Sequence, residues 1–346
     1  MVSSFLRFSR RLGLGIGALS VAALLAACGG GGSTSSMLPT SPSQFNGPIA
    51  GQSTEIPLGT LIVDPTGTSA MAATLDAQAF ASPVMGKKPL LSRVGAMFAP
   101  ATTYPDDLHY YGGKVVTAAK SIDLYVNCAA GCWGTPSTFQ TNLAKSTFIH
   151  LLDQYVHVTS NNRYTYGGSV AVSYSTSKTL QDADIYNIIH AAAKKYGSGY
   201  GVIYHVFLAK GVNQCSTNAG GCYSPSNPNN WTYCAYHGYN QFSDVGHVIY
   251  SVEPYQNVNG CQVTGRSPNG LLIDSTASTL SHETYEAFTD PDVPTRIAWY
   301  NNAMGEIGDI CAPANGVATG VVNLAGRNYG IQPEYSNKYH KCTFAI

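Results

Sequence analysis

His282, Glu283 and Glu286 have residue types and a spacing that can bind a metal ion and activate water. His282 and Glu286 are four residues apart, so on a helix both side chains point to the same side and can reach one ion. Glu283 lies beside them and is placed to act as a general base. Further along the chain, we favour Glu306 as the third ligand and keep Asp309 as an additional candidate.

The stretch His282-Glu283-x-x-Glu286 is similar to the HExxH helix of zincins, with Glu286 in place of the second histidine. The chain has only six glutamates, and three of them belong to this cluster. We expect a divalent ion with zinc as the first choice, although an oxygen-rich ligand set also suits Mn²⁺ or Ca²⁺. His237 is a further candidate for the cleft, and a structural hydrogen-bonding role is its alternative. The alternative for the whole cluster is an amphipathic surface helix with solvated carboxylates.

The composition argues against nucleic acid and nucleotides as partners. The 346 residues carry a formal net charge of zero and only 11% of them are charged, whereas Tyr (23) and Gly (36) are abundant. A nucleic-acid-binding domain usually has an excess of Lys and Arg. No P-loop is recognisable, because the glycine-rich pieces lack the strand and helix that a nucleotide site needs. A surface rich in Tyr, Asn, Ser, Thr and Gly suits an extracellular protein.

Residues 1–27 have the features of a bacterial lipoprotein signal peptide. Three arginines precede an apolar run from Leu12 to Ala27, which ends in the lipobox-like stretch Leu25-Ala26-Ala27-Cys28. The pattern predicts cleavage before Cys28 and attachment of lipid to its sulfur. The mature protein would then be a membrane-anchored lipoprotein of the cell envelope that faces the periplasm or the cell exterior. An ordinary secretory signal with an incidental cysteine is the alternative.

The other cysteines are even in number, which is compatible with disulfides in an oxidising compartment. The sequence leaves their connectivity open. We expect a local Cys128–Cys132 bridge and a Cys311–Cys342 bridge that ties the segment after the motif to the C-terminus. A cysteine-ligated metal is the alternative, but the spacings do not give a paired C-x-x-C pattern. The eight candidates are Cys128, Cys132, Cys215, Cys222, Cys234, Cys261, Cys311 and Cys342.

Two regions follow the leader. Residues 28–105 are rich in Ser, Thr, Pro, Gly and Ala, which predicts a lipid-anchored flexible tether and a loosely structured arm. Residues 106–346 are expected to form the globular domain. Its fold class is α/β (α+β), a mixed sheet with helices in the order β-α-β-α-β-β-α, which is also the order of the zincin core. The predicted strands are 122–126, 170–174, 201–208 and 245–252, and the predicted helices are 138–157, 182–196 and 276–288.

Several short motifs together resemble the phosphate-induced protein 1 (EXORDIUM-like) family. The resemblance covers about Tyr110 to Cys342 and implies an extracytoplasmic, zincin-like domain, but no settled activity. The chain departs from the family at residues 312–316, where Ala-Pro-Ala-Asn-Gly replaces the usual glycine-rich run. The matching motifs are Tyr111-Gly112-Gly113-Lys114-Val115, Cys234-Ala235-Tyr236, Ser281-His282-Glu283-x-x-Glu286-Ala287-x-Thr289-Asp290-Pro291, Trp299-Tyr300 and Glu306-Ile307-Gly308-Asp309-Ile310-Cys311.

Two functions of different classes are consistent with these residues. The first is a metal-dependent hydrolase, peptidase-like, in which Glu283 activates water and a peptide or cell-wall polymer is the substrate. The second is a non-catalytic surface protein, such as a wall or glycan binder, in which the ion only cross-links helix and loop. Only the first requires Glu283 to be unpaired and open to a cleft. A Glu283 that is buried in a salt bridge would favour the second.

Overall fold

The computed structural model of the chain describes residues 55–65 and 104–346, apart from residues 161, 176–178, 218, 228 and 294. The predicted signal peptide, Cys28 and most of the predicted tether lie outside these ranges. Within them, the α-helices are α1 (Pro136–Ala144), α2 (Asp153–Val156), α3 (Asp182–Tyr196) and α4 (Leu271–Thr289). The strands are β1 (Pro57–Val63), β2 (His109–Tyr110), β3 (Ala119–Val126), β4 (Tyr164–Tyr174), β5 (Thr179–Leu180), β6 (Val202–Leu208), β7 (Asn213–Ser216), β8 (Gly221–Tyr223), β9 (Tyr236–Phe242), β10 (Gly246–Glu253), β11 (Trp299–Tyr300), β12 (Gly320–Leu324), β13 (Arg327–Ile331), β14 (Glu334–Ser336) and β15 (Lys341–Thr343).

A six-stranded sheet in the order β1-β4-β3-β6-β10-β9 forms the centre of the domain. Neighbouring strands are parallel except for β9, which runs antiparallel to β10 at one edge. All seven residues of β6 are buried, because helices cover both faces of the sheet and a strand in this position needs apolar side chains on both sides. The expected α/β (α+β) class with a mixed sheet is therefore confirmed.

Two hydrophobic cores lie on opposite faces of the sheet. One contains Ile185, Ile188 and Ile189 of α3 together with side chains of β4, β6 and β10. The other contains Leu280 and Phe288 of α4 together with α1 and the C-terminal strands. The alternation of side chains along β6 divides its residues between these cores. Helix α4 is thus held between the sheet and the C-terminal hairpins.

Helix α4 is buried along most of its length: every residue from Asp274 to Thr289 is inaccessible to solvent or nearly so. It begins after Gly270, which has a φ of 90°, and Asp274 in its first turn accepts hydrogen bonds from both the backbone and the side chain of Asn269. It ends at Thr289, with Asp290 as the capping residue ahead of Pro291, as expected where proline cannot continue a helix. The polar residues of the predicted motif therefore lie inside the protein.

Three parts of the fold differ from the expectations drawn from the sequence. The predicted helix 138–157 is interrupted after α1, where Ser146 donates both its hydroxyl and its backbone N–H to the Leu143 carbonyl. Strand β9 lies in a stretch whose composition predicts mainly a loop. Strand β1 comes from the segment expected to form the tether and arm, and it pairs in parallel with β4. Helix α3 has the predicted bounds.

Four disulfides connect the eight cysteines, and both expected bridges are present: Cys128–Cys132 and Cys311–Cys342. The other two join Cys215 to Cys222 and Cys234 to Cys261. Disulfides persist in oxidising compartments, so this set supports an extracytoplasmic location. Within the described ranges, no helix has both the length and the apolar character needed to cross a membrane.

Candidate metal centre

Helix α4 brings the predicted helical ligands together. His282 Nε2 lies 3.0 Å from Glu286 Oε1, as the four-residue spacing predicts. Glu283 is on the same stretch of helix, and the side chains of all three residues are completely buried. Three buried ionisable groups so close together need compensating charge, because each ionised group pays a desolvation penalty of several kcal/mol.

The 3₁₀ turn Asp309–Cys311 adds another carboxylate to this group. Asp309 Oδ1 is 3.8 Å from His282 Nε2, and the Asp309 backbone N–H donates to Glu286 Oε1 at 3.2 Å. The turn approaches α4 closely at Gly308, where an added Cβ would lie 2.6 Å from His282 Nδ1. His282, Glu286 and Asp309 each offer a ligand atom within 4.8 Å of the others, a spacing suited to one ion.

Strand β9 contributes His237 on the other side of Glu286. Its Nδ1 is 3.4 Å from Glu286 Oε2 and 3.5 Å from Glu283 Oε2. Its Nε2 is 3.6 Å from Glu306 Oε1 and 3.1 Å from the Asp290 carbonyl oxygen. His237, Glu286 and Glu306 form a second group whose ligand atoms all lie within 4.8 Å of one another. Glu286 belongs to both groups.

The predicted ligands His282, Glu286 and Glu306 therefore lie close together, but in two groups that share Glu286. The two additional candidates, Asp309 and His237, complete these groups. His237 is placed by the hairpin of β9 and β10, whose pairing sets His237 opposite Ser251. The sequence gives only a weak indication that His237 belongs to the site, since this residue follows the Cys234-Ala235-Tyr236 turn in a stretch with the composition of a loop.

Buried oxygen atoms without hydrogen-bond partners surround these groups. Among the described residues, they include both carboxylate oxygens of Glu283 and of Glu334, and Oδ2 of Asp290. Buried polar atoms of this kind are uncommon in folded proteins, and a bound cation would satisfy them. Carboxylate oxygens and imidazole nitrogens are suitable ligands for Zn²⁺ and Mn²⁺. The residues present thus fit a divalent ion.

Burial and neighbouring charges shift the pKa values of these side chains strongly. Burial raises the pKa of Glu283, and it raises the pKa values of Asp309 and Glu334 well above their usual range. Burial by itself lowers the pKa of His282, but the Glu286 carboxylate raises it well above the ordinary value. Glu286 behaves differently: burial raises its pKa, but His282 and the neighbouring His237 bring it down to about 2. Glu286 is therefore the carboxylate that stays ionised between the two histidines.

Gln332 holds the far side of the His282 ring. Its side-chain nitrogen donates to the Gly308 carbonyl at 3.0 Å and lies 3.0 Å from His282 Nδ1. This leaves Nε2 as the nitrogen that faces Glu286 and Asp309.

The centre is enclosed. Glu283 has no exposed surface, and Glu306 and Asp309 are only 2% and 4% exposed. The segment after β2 covers the end of α4, where the Val116 N–H donates to the Phe288 carbonyl at 2.9 Å. This segment is held in place by the short pairing of β2 with β11 and by the hydrogen bond from the Ala298 N–H to Asp290 Oδ1 at 2.8 Å. The Glu283 side chain is therefore closed to solvent in this conformation.

Comparisons with known proteins do not assign a family or a function to the chain. No family model, no curated protein and no solved structure matched the chain. The resemblance to the EXORDIUM-like family therefore rests on the motifs alone. Those motifs converge in the structure: Trp299-Tyr300 forms β11, the stretch from Glu306 to Cys311 faces α4, and Gly113 packs against the backbone of Arg296 and Ile297.

Proposed function

We propose that the described domain is an extracytoplasmic metal-binding domain in which a buried divalent cation cross-links helix α4 to the turn that follows residue 305. His282, Glu286 and Asp309 hold this cation, with zinc as the first choice. The observation that carries this proposal is that Glu283 is completely buried and that its Oε2 lies 3.5 Å from His237 Nδ1. This is the arrangement of a structural centre rather than of an open catalytic one. The domain would then act as a surface or cell-wall binding protein.

A bound cation adds positive charge to that which His282 and His237 can supply to the cluster. Among the described residues, one Lys or Arg side chain is buried, that of Arg163. It donates hydrogen bonds to Asp153 and to the Thr117 carbonyl. A metal that binds the folded state and not the unfolded chain adds its binding free energy to stability. Metal removal should therefore destabilise the whole domain and not only one loop.

Three finer assignments belong to this proposal. The elements β3, α1, β4, α3, β6, β10 and α4, taken without the intervening α2, β5 and β7–β9, follow the order expected for the zincin core and support a zincin-like fold. The converging motifs support membership of the EXORDIUM-like family. Lipid anchoring at Cys28, outside the described residues, would place the domain on a membrane surface.

A metal-dependent hydrolase, peptidase-like, is the second candidate. One observation favours it: both Glu283 oxygens lack hydrogen-bond partners, although the residue follows His282 directly and lies beside both ligand groups. A general base needs a carboxylate that can accept a proton, and the 3.5 Å ion pair with His237 leaves this capacity to Glu283. In this case Glu283 would accept a proton from water while His282, Glu286 and Asp309 hold the ion. The cover formed by the segment after β2 would have to open to admit a peptide or cell-wall polymer.

Glu283→Gln separates the two candidates. The change keeps the shape of the side chain and spares His282, Glu286 and Asp309, so metal content and melting temperature should stay close to wild type. A cross-linking role predicts that wild type loses thermal stability with a chelator and cleaves neither a broad peptide panel nor cell-wall polymers. Glu253→Gln is the matched control, since Glu253 is equally buried but accepts a hydrogen bond from Ser251 at 2.7 Å.

Two outcomes would overturn the cross-linking role. The first is cleavage by wild type that disappears in Glu283→Gln and persists in Glu253→Gln, which would establish the hydrolase instead. The second is an unchanged melting temperature after complete removal of metal.

A further inference from the structure

We propose that the centre binds a second divalent cation, held by His237 and Glu306, with Glu286 bridging the two ions. This inference rests on the proposed function, because the first ion at His282, Glu286 and Asp309 is its starting point. The second ion would occupy the second ligand group, whose atoms lie within 4.8 Å of one another. The expected cations are Zn²⁺ or Mn²⁺, which accept imidazole and carboxylate ligands together.

Glu286 presents one carboxylate oxygen to each group. Its Oε1 lies 3.0 Å from His282 Nε2, whereas its Oε2 lies 3.4 Å from His237 Nδ1. A carboxylate with its two oxygens directed at different ligand sets is suited to bridge two ions. In two-metal sites the ions are about 3.5–4 Å apart, a separation that one carboxylate can span.

His237 is the independent observation. The side chain is completely buried, and among the described residues its Nδ1 has no hydrogen-bond partner, although it points toward the carboxylates of Glu283 and Glu286. An ion at His282 and Asp309 does not use this nitrogen. A second cation gives it a ligand role and explains why a histidine faces three buried glutamates.

The balance of charge favours the same conclusion. Seven buried carboxyl groups belong to or adjoin the two ligand groups, together with the two histidines. One divalent ion compensates only part of the charge these carboxyl groups carry when ionised, and low-polarity surroundings make an uncompensated charge costly. A second ion brings the cluster closer to neutrality. The seven groups are those of Glu253, Glu283, Glu286, Asp290, Glu306, Asp309 and Glu334.

Metal stoichiometry tests the proposal on the purified protein, stripped with a chelator and titrated with Mn²⁺ or Zn²⁺. We expect wild type to bind about two equivalents. His237→Gln, which keeps a side chain of similar length, should retain about one, and Glu286→Gln should lose both. Glu306→Gln serves as a second variant, because it removes a ligand charge from the other side of the same group.

The Mn²⁺-loaded protein provides an independent spectroscopic measurement. Two Mn²⁺ ions bridged by a carboxylate are magnetically coupled, so wild type should give a coupled electron paramagnetic resonance spectrum. His237→Gln should instead give the six-line spectrum of an isolated ion.

The outcomes are distinct. Binding of a single equivalent by wild type, with an uncoupled spectrum, would overturn the second ion and leave the first intact. In that case a protonated His237 would supply the positive charge. Binding of no metal by wild type would overturn the proposed function itself. Unchanged stoichiometry in both His237→Gln and Glu306→Gln would also contradict the second ion.

Discussion

Gly308 sets how closely the turn that carries Asp309 can approach helix α4. A side chain at this position would contact the His282 ring, with its Cβ 2.6 Å from Nδ1, and real Cβ atoms do not come so near. Glycine is therefore required by packing against the His282 ring, rather than by an unusual backbone angle. The spacing between Glu306 and Asp309 alone does not reveal this.

Gly308→Ala should displace His282 and weaken metal binding. We expect at least a tenfold increase in the dissociation constant for Zn²⁺, in line with about 10–100-fold losses when groups that orient metal ligands are changed. Gly131→Ala is the control, because a Cβ there meets no atom within 4 Å. Equal affinities in the two variants, measured by competition with a metal indicator, would show that Gly308 does not position His282.

Asp123, which is not a member of the two ligand groups, gives a pH-dependent prediction. Burial raises the pKa of its carboxyl group to about 8, against the lowering effect of hydrogen bonds from Gln140 and Tyr125. Between the ordinary value of 3.8 and about 8, the folded protein holds a proton that the unfolded chain has lost. The free energy of unfolding should therefore decrease as pH rises through this window.

Asp123→Asn should remove this contribution. Each pKa unit corresponds to about 1.4 kcal/mol, so the loss of stability from pH 5 to pH 8 should be smaller in the variant by more than about 1 kcal/mol. Urea unfolding of both proteins at the two pH values measures it. Parallel pH profiles would contradict a protonated Asp123 in the folded state.

At the scale of elements, the Cys311–Cys342 disulfide supports the turn that carries Asp309. It closes a separation of 31 residues, whereas Cys215–Cys222 closes one of 7 and lies in a separate small sheet. The loop-entropy argument predicts that replacing both cysteines of the first pair by Ala lowers the free energy of unfolding by about 3–4 kcal/mol, against about 2 kcal/mol for the second.

Metal affinity provides the sharper comparison between these two disulfides. Loss of Cys311–Cys342 should weaken Zn²⁺ binding, because Cys311 is two residues from Asp309 in the same 3₁₀ turn. Loss of Cys215–Cys222 should leave the affinity unchanged. If both double variants bind Zn²⁺ as wild type does, the disulfide contributes to stability without positioning the ligand.

Strand β1 is an edge strand that completes the sheet, and its removal should be measurable. Leu58 and Leu61 pack on the core that contains α3, whereas Ile62 is 86% exposed. A chain that begins at residue 104 leaves the outer edge of β4 without its partner. We expect it to melt several degrees below a chain that begins at residue 55, and equal melting temperatures would contradict a stabilising role for β1.

The sequence is most informative where a strong local period coincides with clear end signals. Helix α3 has Gly197 at its end and isoleucines on one side, and its predicted bounds are correct. Strand β9 escapes prediction because its sequence, from Tyr236 to Phe242, contains His, Gly, Asn and Gln and has no apolar alternation. Its side chains are nonetheless almost all buried, since tertiary contacts with β10 and α4 override local propensity.

The same contrast applies to the metal centre. The relation of His282 to Glu286 follows from helix geometry and is accessible from spacing. The division of the ligands into two groups depends on how a distant strand and a turn meet α4, which spacing does not encode. For this reason the sequence places Glu306 in one set with His282, whereas the structure groups it with His237.

At the scale of the whole molecule, acidic side chains are concentrated in the interior. Of the 19 acidic residues, ten are buried in the described part of the chain. In the same part of the chain, Arg163 is the one buried Lys or Arg. The proposed cations would compensate the acidic groups around His282 and His237, whereas others have protein partners, such as Asp292 with His247 at 2.9 Å. The ten buried acids are Asp123, Glu253, Asp274, Glu283, Glu286, Asp290, Asp292, Glu306, Asp309 and Glu334.

The most direct measurement of the central claim is anomalous X-ray diffraction from crystals of the protein grown with Zn²⁺. Data collected on both sides of the zinc absorption edge locate the ion independently of any assumption about its ligands. We predict a strong anomalous difference peak within bonding distance of His282 Nε2, Glu286 and Asp309. Density with no peak between these side chains, or zinc found only at surface histidines, would contradict the account.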